Sequence, residues 1–142
     1  MNMRPEKDIP INNQMIPNSK VVPDFEIDLS YLEEIANGNT DFIVEMIDLF
    51  LQQAPESLDG IVERVSKKEW QTAGNLAHKL KPTFAMIGVM AGSKLSERIE
   101  KSARGGYDLE HLAELVDELK IISDQAMNKL IKRRLDLLAK TT

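Results

Sequence analysis

Apolar residues recur every three or four positions along most of this chain, from about residue 30 to residue 138. At about 100° of rotation per residue, this spacing gathers the apolar side chains on one face of a helix. No window alternates apolar and polar residues at period two, which is the pattern of a half-buried strand. The sequence therefore predicts an all-α fold. In the longest run the residues that share a face are Ile43, Met46, Ile47, Phe50, Ala54, Leu58, Ile61 and Val65.

Capping residues mark where the first two helices begin. Ser30 is expected to begin a short helix, because Glu33 follows it at the spacing of a capping box. Asn39 or Thr40 is expected to cap a long second helix. Pro55 lies inside that second helix, where it is expected to cause a kink or to start a new segment.

Three more helices follow from the same periodic pattern. We expect them at about residues 68–87, at about residues 90–103, and from a cap at Asp108 to about residue 138. Four substantial helices joined by short loops favour an antiparallel up-down-up-down four-helix bundle. The short helix at Ser30 is then an extra N-terminal element.

The first part of the chain differs from the rest because it is rich in proline. Pro5, Pro10, Pro17 and Pro23 interrupt any continuous helix or central strand. We therefore expect residues 1–27 to form an extended arm or linker, and residues 28–142 to form the helical bundle.

Composition excludes several classes of protein. The chain has no cysteine, which rules out disulfides, thiolate metal sites and a cysteine nucleophile. A formal net charge of −5 argues against nucleic acid as a partner. Neither a membrane span nor a signal peptide is evident, so a cytoplasmic protein without a membrane segment is expected. A bundle that buries its own apolar stripes is expected to be a monomer.

His78 is the candidate functional residue, since it lies on the polar face of the third helix. A lone histidine in such a position is usually only solvated, but here the neighbours are small or polar and leave room for another protein. Lys81 follows one turn later, where its ammonium group can reach an anion on the ring. The residues expected around His78 on this face are Gln71, Gly74, Asn75, Lys81, Pro82 and Ala85.

The chemistry of an exposed imidazole suits phosphoryl transfer. An unperturbed imidazole is mostly neutral at cytoplasmic pH, and the neutral form is the nucleophile. Attack by a ring nitrogen gives a phosphoramidate, which keeps a high transfer potential. A residue that only relays the phosphoryl group needs no ATP site, and the metal and acidic groups can belong to the partner.

The run AHKLKPTFAMIG resembles the signature of histidine-containing phosphotransfer (HPt) domains, which is roughly His-x-Leu-Lys-Gly followed by a further glycine. In this resemblance His78 matches the phosphorylated histidine, Leu80 the buried leucine, Lys81 the lysine and Gly88 the later glycine. The run Phe50-Leu51-Gln52-Gln53-Ala54-Pro55 and Trp70, eight residues before His78, also fit the layout of that family. The similarity covers about residues 28–138.

The resemblance implies a phosphorelay intermediate. His78 would accept a phosphoryl group from the aspartate of one receiver domain and pass it to another, with Lys81 stabilising the phosphoryl group. Receiver domains would supply Mg²⁺, so the chain itself would need no cofactor or metal. A hybrid sensor histidine kinase is a possible upstream partner. The docking surface would centre on His78, and Lys79 at its edge would pair with acidic residues of the partner.

One position departs from the family pattern, because Pro82 stands where glycine is usual. A proline has no N–H group to donate to the carbonyl oxygen of His78, so we expect a local bend after the histidine. Docking is expected to survive with altered contacts.

Three other functions could use a histidine on a helix of a bundle. The dimerisation domain of sensor kinases also places a histidine near a proline, but Lys79 replaces its acidic residue and no ATP lid follows, so an autokinase is not expected. Di-iron bundles use Glu-x-x-His, whereas Asn75 and Asp108 precede His78 and His111 at that spacing. A non-catalytic helical adaptor that binds a signalling partner through the same face is the remaining alternative.

Overall fold

The computed structural model describes residues 25–140, which are almost entirely helical. The first part of the expected arm, residues 1–24, lies outside the described residues, as do residues 141 and 142. No strand occurs between residues 25 and 140, so the predicted all-α fold is confirmed. The helices are α1 (Ser30–Ala36), α2 (Thr40–Ser66), α3 (Trp70–Met86), α4 (Met90–Gly105) and α5 (Leu112–Lys140), with a 3-10 turn at Leu109–His111 before α5.

The four long helices pack in a ring. Helix α2 contacts α3, α3 contacts α4, α4 contacts α5, and α5 closes the ring on α2. Short connections between consecutive helices make neighbours antiparallel. The short helix α1 packs on α2 as the predicted extra element. None of the helices between residues 25 and 140 is long and apolar enough to cross a membrane.

The core fills the space between the four helices. The rings of Phe50 and Phe84 meet edge to face with their centroids 5.4 Å apart, which joins α2 to α3. Such a pair is worth about 0.5–1.5 kcal/mol beyond the area that it buries. Phe25 and Ile27, at the end of the expected arm, also pack against this core. Fully buried aliphatic side chains around the two rings include Ile47, Ile61, Leu80, Ile99, Leu119 and Leu130.

The side chain of Asp28, one residue before the N-cap residue Leu29, accepts hydrogen bonds from Ser30 at the start of α1. Its Oδ1 accepts a hydrogen bond from the backbone N of Ser30 at 2.9 Å, and the hydroxyl of Ser30 also donates to it. These bonds hold the pKa of Asp28 below its usual value. The expected capping box is wrong, because Ser30 is already inside the helix and Glu33 donates its backbone N–H to the carbonyl of Leu29.

The start of α1 is joined to the end of α3 at Gly88. The backbone N of Asp28 donates to the carbonyl oxygen of Ile87 at 3.3 Å. Gly88 has a φ of +74°, and a Cβ at this position would overlap the carbonyl oxygen of Asp28. The glycine therefore lets the chain turn after α3 and pass close to the segment before α1.

The structure tests three expectations about helix ends and prolines, at Asn39, Pro55 and Asp108. Asn39 caps α2, since its side chain accepts from the backbone N of Phe42 at 3.1 Å. Helix α2 runs through Pro55 as one element, so no new segment begins there. Asp108 makes no side-chain capping bond; it has a φ of +54°, and its carbonyl accepts from the backbone N of His111. The expected cap at Asp108 is therefore wrong.

Candidate functional site

His78 stands on the outer face of α3, with its side chain 62% exposed. The adjacent positions on the inner face, Ala77 and Leu80, are buried in the core. Core packing therefore fixes the backbone under the imidazole while the ring itself reaches solvent. The imidazole is therefore accessible from outside the bundle.

Glu100 on α4 holds the imidazole by a hydrogen bond. Nδ1 of His78 lies 2.9 Å from Oε2 of Glu100. The Glu100 side chain is only 12% exposed, so the carboxylate is largely covered by the two helices. A carboxylate oxygen only accepts, and Nδ1 must therefore carry the proton. The neutral ring then has an unprotonated Nε2, which has no hydrogen-bond partner among residues 25–140.

Arg104 extends this contact into a network between α3 and α4. Its Nη1 donates to the same Oε2 of Glu100 that His78 contacts, and its Nη2 donates to Oδ1 of Asn75 at 2.6 Å. One carboxylate oxygen therefore lies between an imidazole and a guanidinium group. Asn75, His78, Glu100 and Arg104 form a continuous chain of polar contacts.

Gly74 is buried, so its expected place on the exposed face beside His78 is wrong. A Cβ added here would lie 2.8 Å from Cγ of Arg104 and 3.4 Å from the backbone oxygen of Glu100. Because Gly74 has no side chain, another element can pack closely against α3 at this position. That element is α4 of the same molecule, not a docking partner.

Lys81 lies one turn after His78 and pairs with Glu97 on α4. Its Nζ is 3.4 Å from Oε2 of Glu97, and Nζ of Lys101 is 3.2 Å from the same oxygen. The hydrogen bond and charge of Lys101, followed by those of Lys81, lower the pKa of Glu97 from its usual value. A solvent-exposed ion pair with α4 thus holds the side chain of Lys81, on the same helix as His78.

The remaining residues expected at the site surround His78 on α3. Gln71, Asn75, Lys79 and Pro82 are exposed, and Ala85 is half-buried. Helix α3 continues through Pro82 to Met86. Proline has no N–H group, so the His78 carbonyl lacks its usual helical donor. One residue later the hydroxyl of Thr83 donates to the carbonyl oxygen of Lys79 at 3.0 Å.

Sequence reasoning missed the part of the site that α4 supplies. Glu97, Glu100 and Arg104 recur every three or four residues and therefore share one side of α4. That periodicity signals a polar face, but it does not say which neighbouring helix the face meets. The rotation of α4 against α3 decides that, and it depends on the packed core.

A separate group of possible metal ligands lies at the 3-10 turn before α5. Ligand atoms of Asp108, Glu110 and His111 lie within 4.8 Å of one another, and all three residues are exposed. Among residues 25–140 this is the one group of three such side chains close enough to share an ion. It does not include His78 or Glu100.

Comparison with known proteins relates most of the chain to one family. A model of the Hpt domain matches residues 45–137, more than half of the chain, and this range contains the whole His78 network. A curated relative, the signal transduction histidine-protein kinase BarA of Shigella flexneri, is 28% identical over 118 residues. The alignment covers 80% of this chain and 12% of the kinase, so the chain spans a small part of that relative's length. No solved structure matches the chain.

Proposed function

The chain belongs to the Hpt domain family, and from this premise we propose that it is a phosphorelay intermediate that carries the phosphoryl group on His78. Phosphoryl transfer in two-component signalling is the general role that goes with this family. The specific partners that we propose are receiver domains, one that donates the phosphoryl group and one that accepts it. We propose that the donor receiver belongs to a hybrid sensor histidine kinase and that transfer takes place in the cytoplasm.

The observation that carries the proposal is the orientation of the imidazole. In the proposed forward step, the lone pair of Nε2 attacks the phosphorus of a receiver phosphoaspartate. The N–P bond forms, the P–O bond to the aspartate breaks, and its electron pair returns to the aspartate carboxylate. The ring becomes positively charged while Nδ1 keeps its proton. The Glu100 carboxylate, 2.9 Å from Nδ1, stabilises that charge.

The second step is the reverse reaction with another receiver. An aspartate oxygen of that receiver attacks the phosphorus, the N–P bond breaks, and its electron pair returns to Nε2. No proton has to leave Nδ1 in either direction. We propose that each receiver domain contributes the Mg²⁺ that this chemistry uses, so that the chain needs no metal and no ATP site of its own.

Lys81 is proposed to stabilise the phosphoryl group. Its present partner is Glu97, at 3.4 Å, and both side chains are partly exposed. Exposed ion pairs of this kind are worth about 0–1 kcal/mol, so Lys81 can exchange Glu97 for a phosphoryl oxygen at small cost. A charge-assisted hydrogen bond to a phosphoryl oxygen is stronger than that pair.

The receiver is proposed to dock on the outer face of α3. Asn75, Lys79 and Pro82 are exposed there around His78, and Gln71 and Ala85 extend the face in both directions along the helix. The buried position of Gly74 removes that residue from the docking surface. The low relief around the ring allows an active site on another protein to reach Nε2.

Transfer from a phosphorylated receiver domain tests the proposal. We expect the native chain to gain a label that is stable to base and labile to acid, and the His78→Gln variant to gain none. Equal labelling of both proteins would contradict the assignment of His78. No labelling from any receiver would favour a non-catalytic adaptor. Incubation with labelled ATP alone is expected to leave the chain unlabelled, and labelling there would indicate an autokinase.

A further inference from the structure

Oε2 of Glu100 accepts two hydrogen bonds at once, one from the imidazole and one from a guanidinium group. His78 reaches it from α3, and Arg104 reaches it from one turn further along α4. The Glu100 side chain is 12% exposed, compared with 62% for His78 and 36% for Arg104. The Glu100 carboxylate is therefore largely shielded from solvent, whereas the two side chains that bond to it are more exposed.

The side chain of Arg104 also reaches from α4 to α3. Its second terminal nitrogen donates to Oδ1 of Asn75 at 2.6 Å, so the planar guanidinium group is fixed at both ends. A glutamate side chain on a helix surface has several rotamers, and most of them point away from His78. The pair with Arg104 favours the rotamer in which the carboxylate points at Nδ1.

The side chain of Arg104 can lie across α3 only because residue 74 is a glycine. The Cγ of Arg104 lies where a Cβ on residue 74 would approach it to 2.8 Å. Any larger residue at position 74 would therefore displace the arginine stem or separate α3 from α4. Glycine in a helix interior costs about 1 kcal/mol relative to alanine, and the space for Arg104 accounts for its presence here.

We infer that Arg104 is a positioning residue for the transfer reaction: lying across Gly74, it holds the Glu100 carboxylate against Nδ1 of His78 and so keeps Nε2 free for attack. The inference rests on the proposed function. It adds that the reactive nitrogen is selected by a residue of α4 that touches neither the imidazole nor the phosphoryl group. The charged groups facing the imidazole are Glu100 and Arg104 from α4 and Lys81 from α3, with Glu97 and Lys101 beyond them.

The position of the proton on the His78 ring shows directly whether Arg104 orients the Glu100 carboxylate. An unrestrained neutral imidazole in water favours the proton on Nε2, whereas the contact with Glu100 requires it on Nδ1. Nitrogen NMR of the unphosphorylated full chain distinguishes the two tautomers. We expect the Nδ1–H form in the native protein and a shift toward the Nε2–H form in Arg104→Ala. An unchanged tautomer in a folded Arg104→Ala variant would overturn the inference.

Transfer rates provide the second readout, with matched variants. We expect Arg104→Ala to lower the rate of transfer from a phosphorylated receiver about 10-fold, the scale of one charge-assisted hydrogen bond. Arg104→Lys is expected to restore part of that rate, because an ammonium group still reaches Glu100 but cannot also reach Asn75. Arg98→Ala, which removes another exposed arginine from α4, is expected to leave the rate unchanged. An equal loss in Arg98→Ala and Arg104→Ala would contradict a specific role.

Gly74→Ala is expected to reproduce the tautomer shift although Arg104 is still present. If this variant does not fold, the pair Arg104→Ala and Arg104→Lys decides the question without it. Failure of the native chain to accept a phosphoryl group would overturn the proposed function instead. In that case the tautomer of the Arg104 variants still shows whether Arg104 positions the ring.

Discussion

Nδ1 of His78 on α3 lies 2.9 Å from Oε2 of Glu100 on α4, 22 residues further along the chain. The contact spans the interface between two neighbouring helices of the bundle. The local sequence around His78 supplies the proposed nucleophile, but the packing of α4 on α3 decides which of its ring nitrogens is free of a hydrogen bond. Changes that move α4 relative to α3 are therefore expected to affect the chemistry without touching the histidine motif.

Lys81→Ala is expected to slow phosphoryl transfer to and from His78. The variant removes the cation proposed to contact the phosphoryl oxygens, and the loss should be about 10-fold or more for a charge-assisted hydrogen bond. Stopped-flow or quenched-label kinetics with a receiver domain measures it. Lys120→Ala, an exposed lysine on α5, serves as the control and should change the rate by less than about twofold. Similar losses in both variants would mean that only the overall charge matters.

Pro82→Ala is expected to stabilise the protein. The alanine restores the N–H group that the carbonyl of His78 lacks, and a proline in a helix interior costs about 3 kcal/mol relative to alanine. Proline also restricts the unfolded chain, which offsets about 0.4–1 kcal/mol of that cost. Urea unfolding should therefore show a gain of about 2 kcal/mol in the free energy of unfolding.

Pro55→Ala provides the matched control for this change, since Pro55 lies inside α2 and away from the outer face of α3. Both variants should gain stability, and both should still accept a phosphoryl group. A loss of stability in Pro82→Ala alone would show that the proline ring makes contacts that outweigh the missing hydrogen bond.

Gly88→Ala is expected to destabilise the bundle more than Gly106→Ala. Both glycines have positive φ, +74° and +73°, so each alanine carries the left-handed backbone penalty of about 1–2 kcal/mol. At Gly88 the new Cβ would also overlap the carbonyl oxygen of Asp28, whereas at Gly106 no atom lies within 4 Å. Overlap of this kind adds about 1–3 kcal/mol. Equal melting temperatures for the two variants would show that the approach of Asp28 contributes little.

The helices could be predicted from sequence because their signals are local. Apolar spacing and the cap at Asn39 depend on neighbouring residues, and both are found in the structure. The capping box at Ser30 was not found because the helix begins one residue earlier than expected: Leu29 is the N-cap residue, and its carbonyl accepts the backbone N–H of Glu33. Pro55 does not divide α2, since tertiary packing on both sides of it holds the helix together.

The site was predictable only on one helix. His78 and its exposed neighbours follow from the period of α3, which separates its polar face from its buried face. Gly74 was misplaced because a glycine gives no information about which helix lies against it. Glu100 and Arg104 meet His78 through the packing of α4 on α3, which depends on side chains from the whole core.

Phosphorus–nitrogen NMR of the histidine-labelled chain, after phosphorylation by a receiver domain, shows directly whether Nε2 of His78 carries the phosphoryl group. We predict a single N–P bond at Nε2 of His78, a proton retained on Nδ1, and no phosphoryl group on His111, the second of the two histidines. A phosphoryl group on Nδ1 of His78, on His111, or on neither histidine would contradict this prediction.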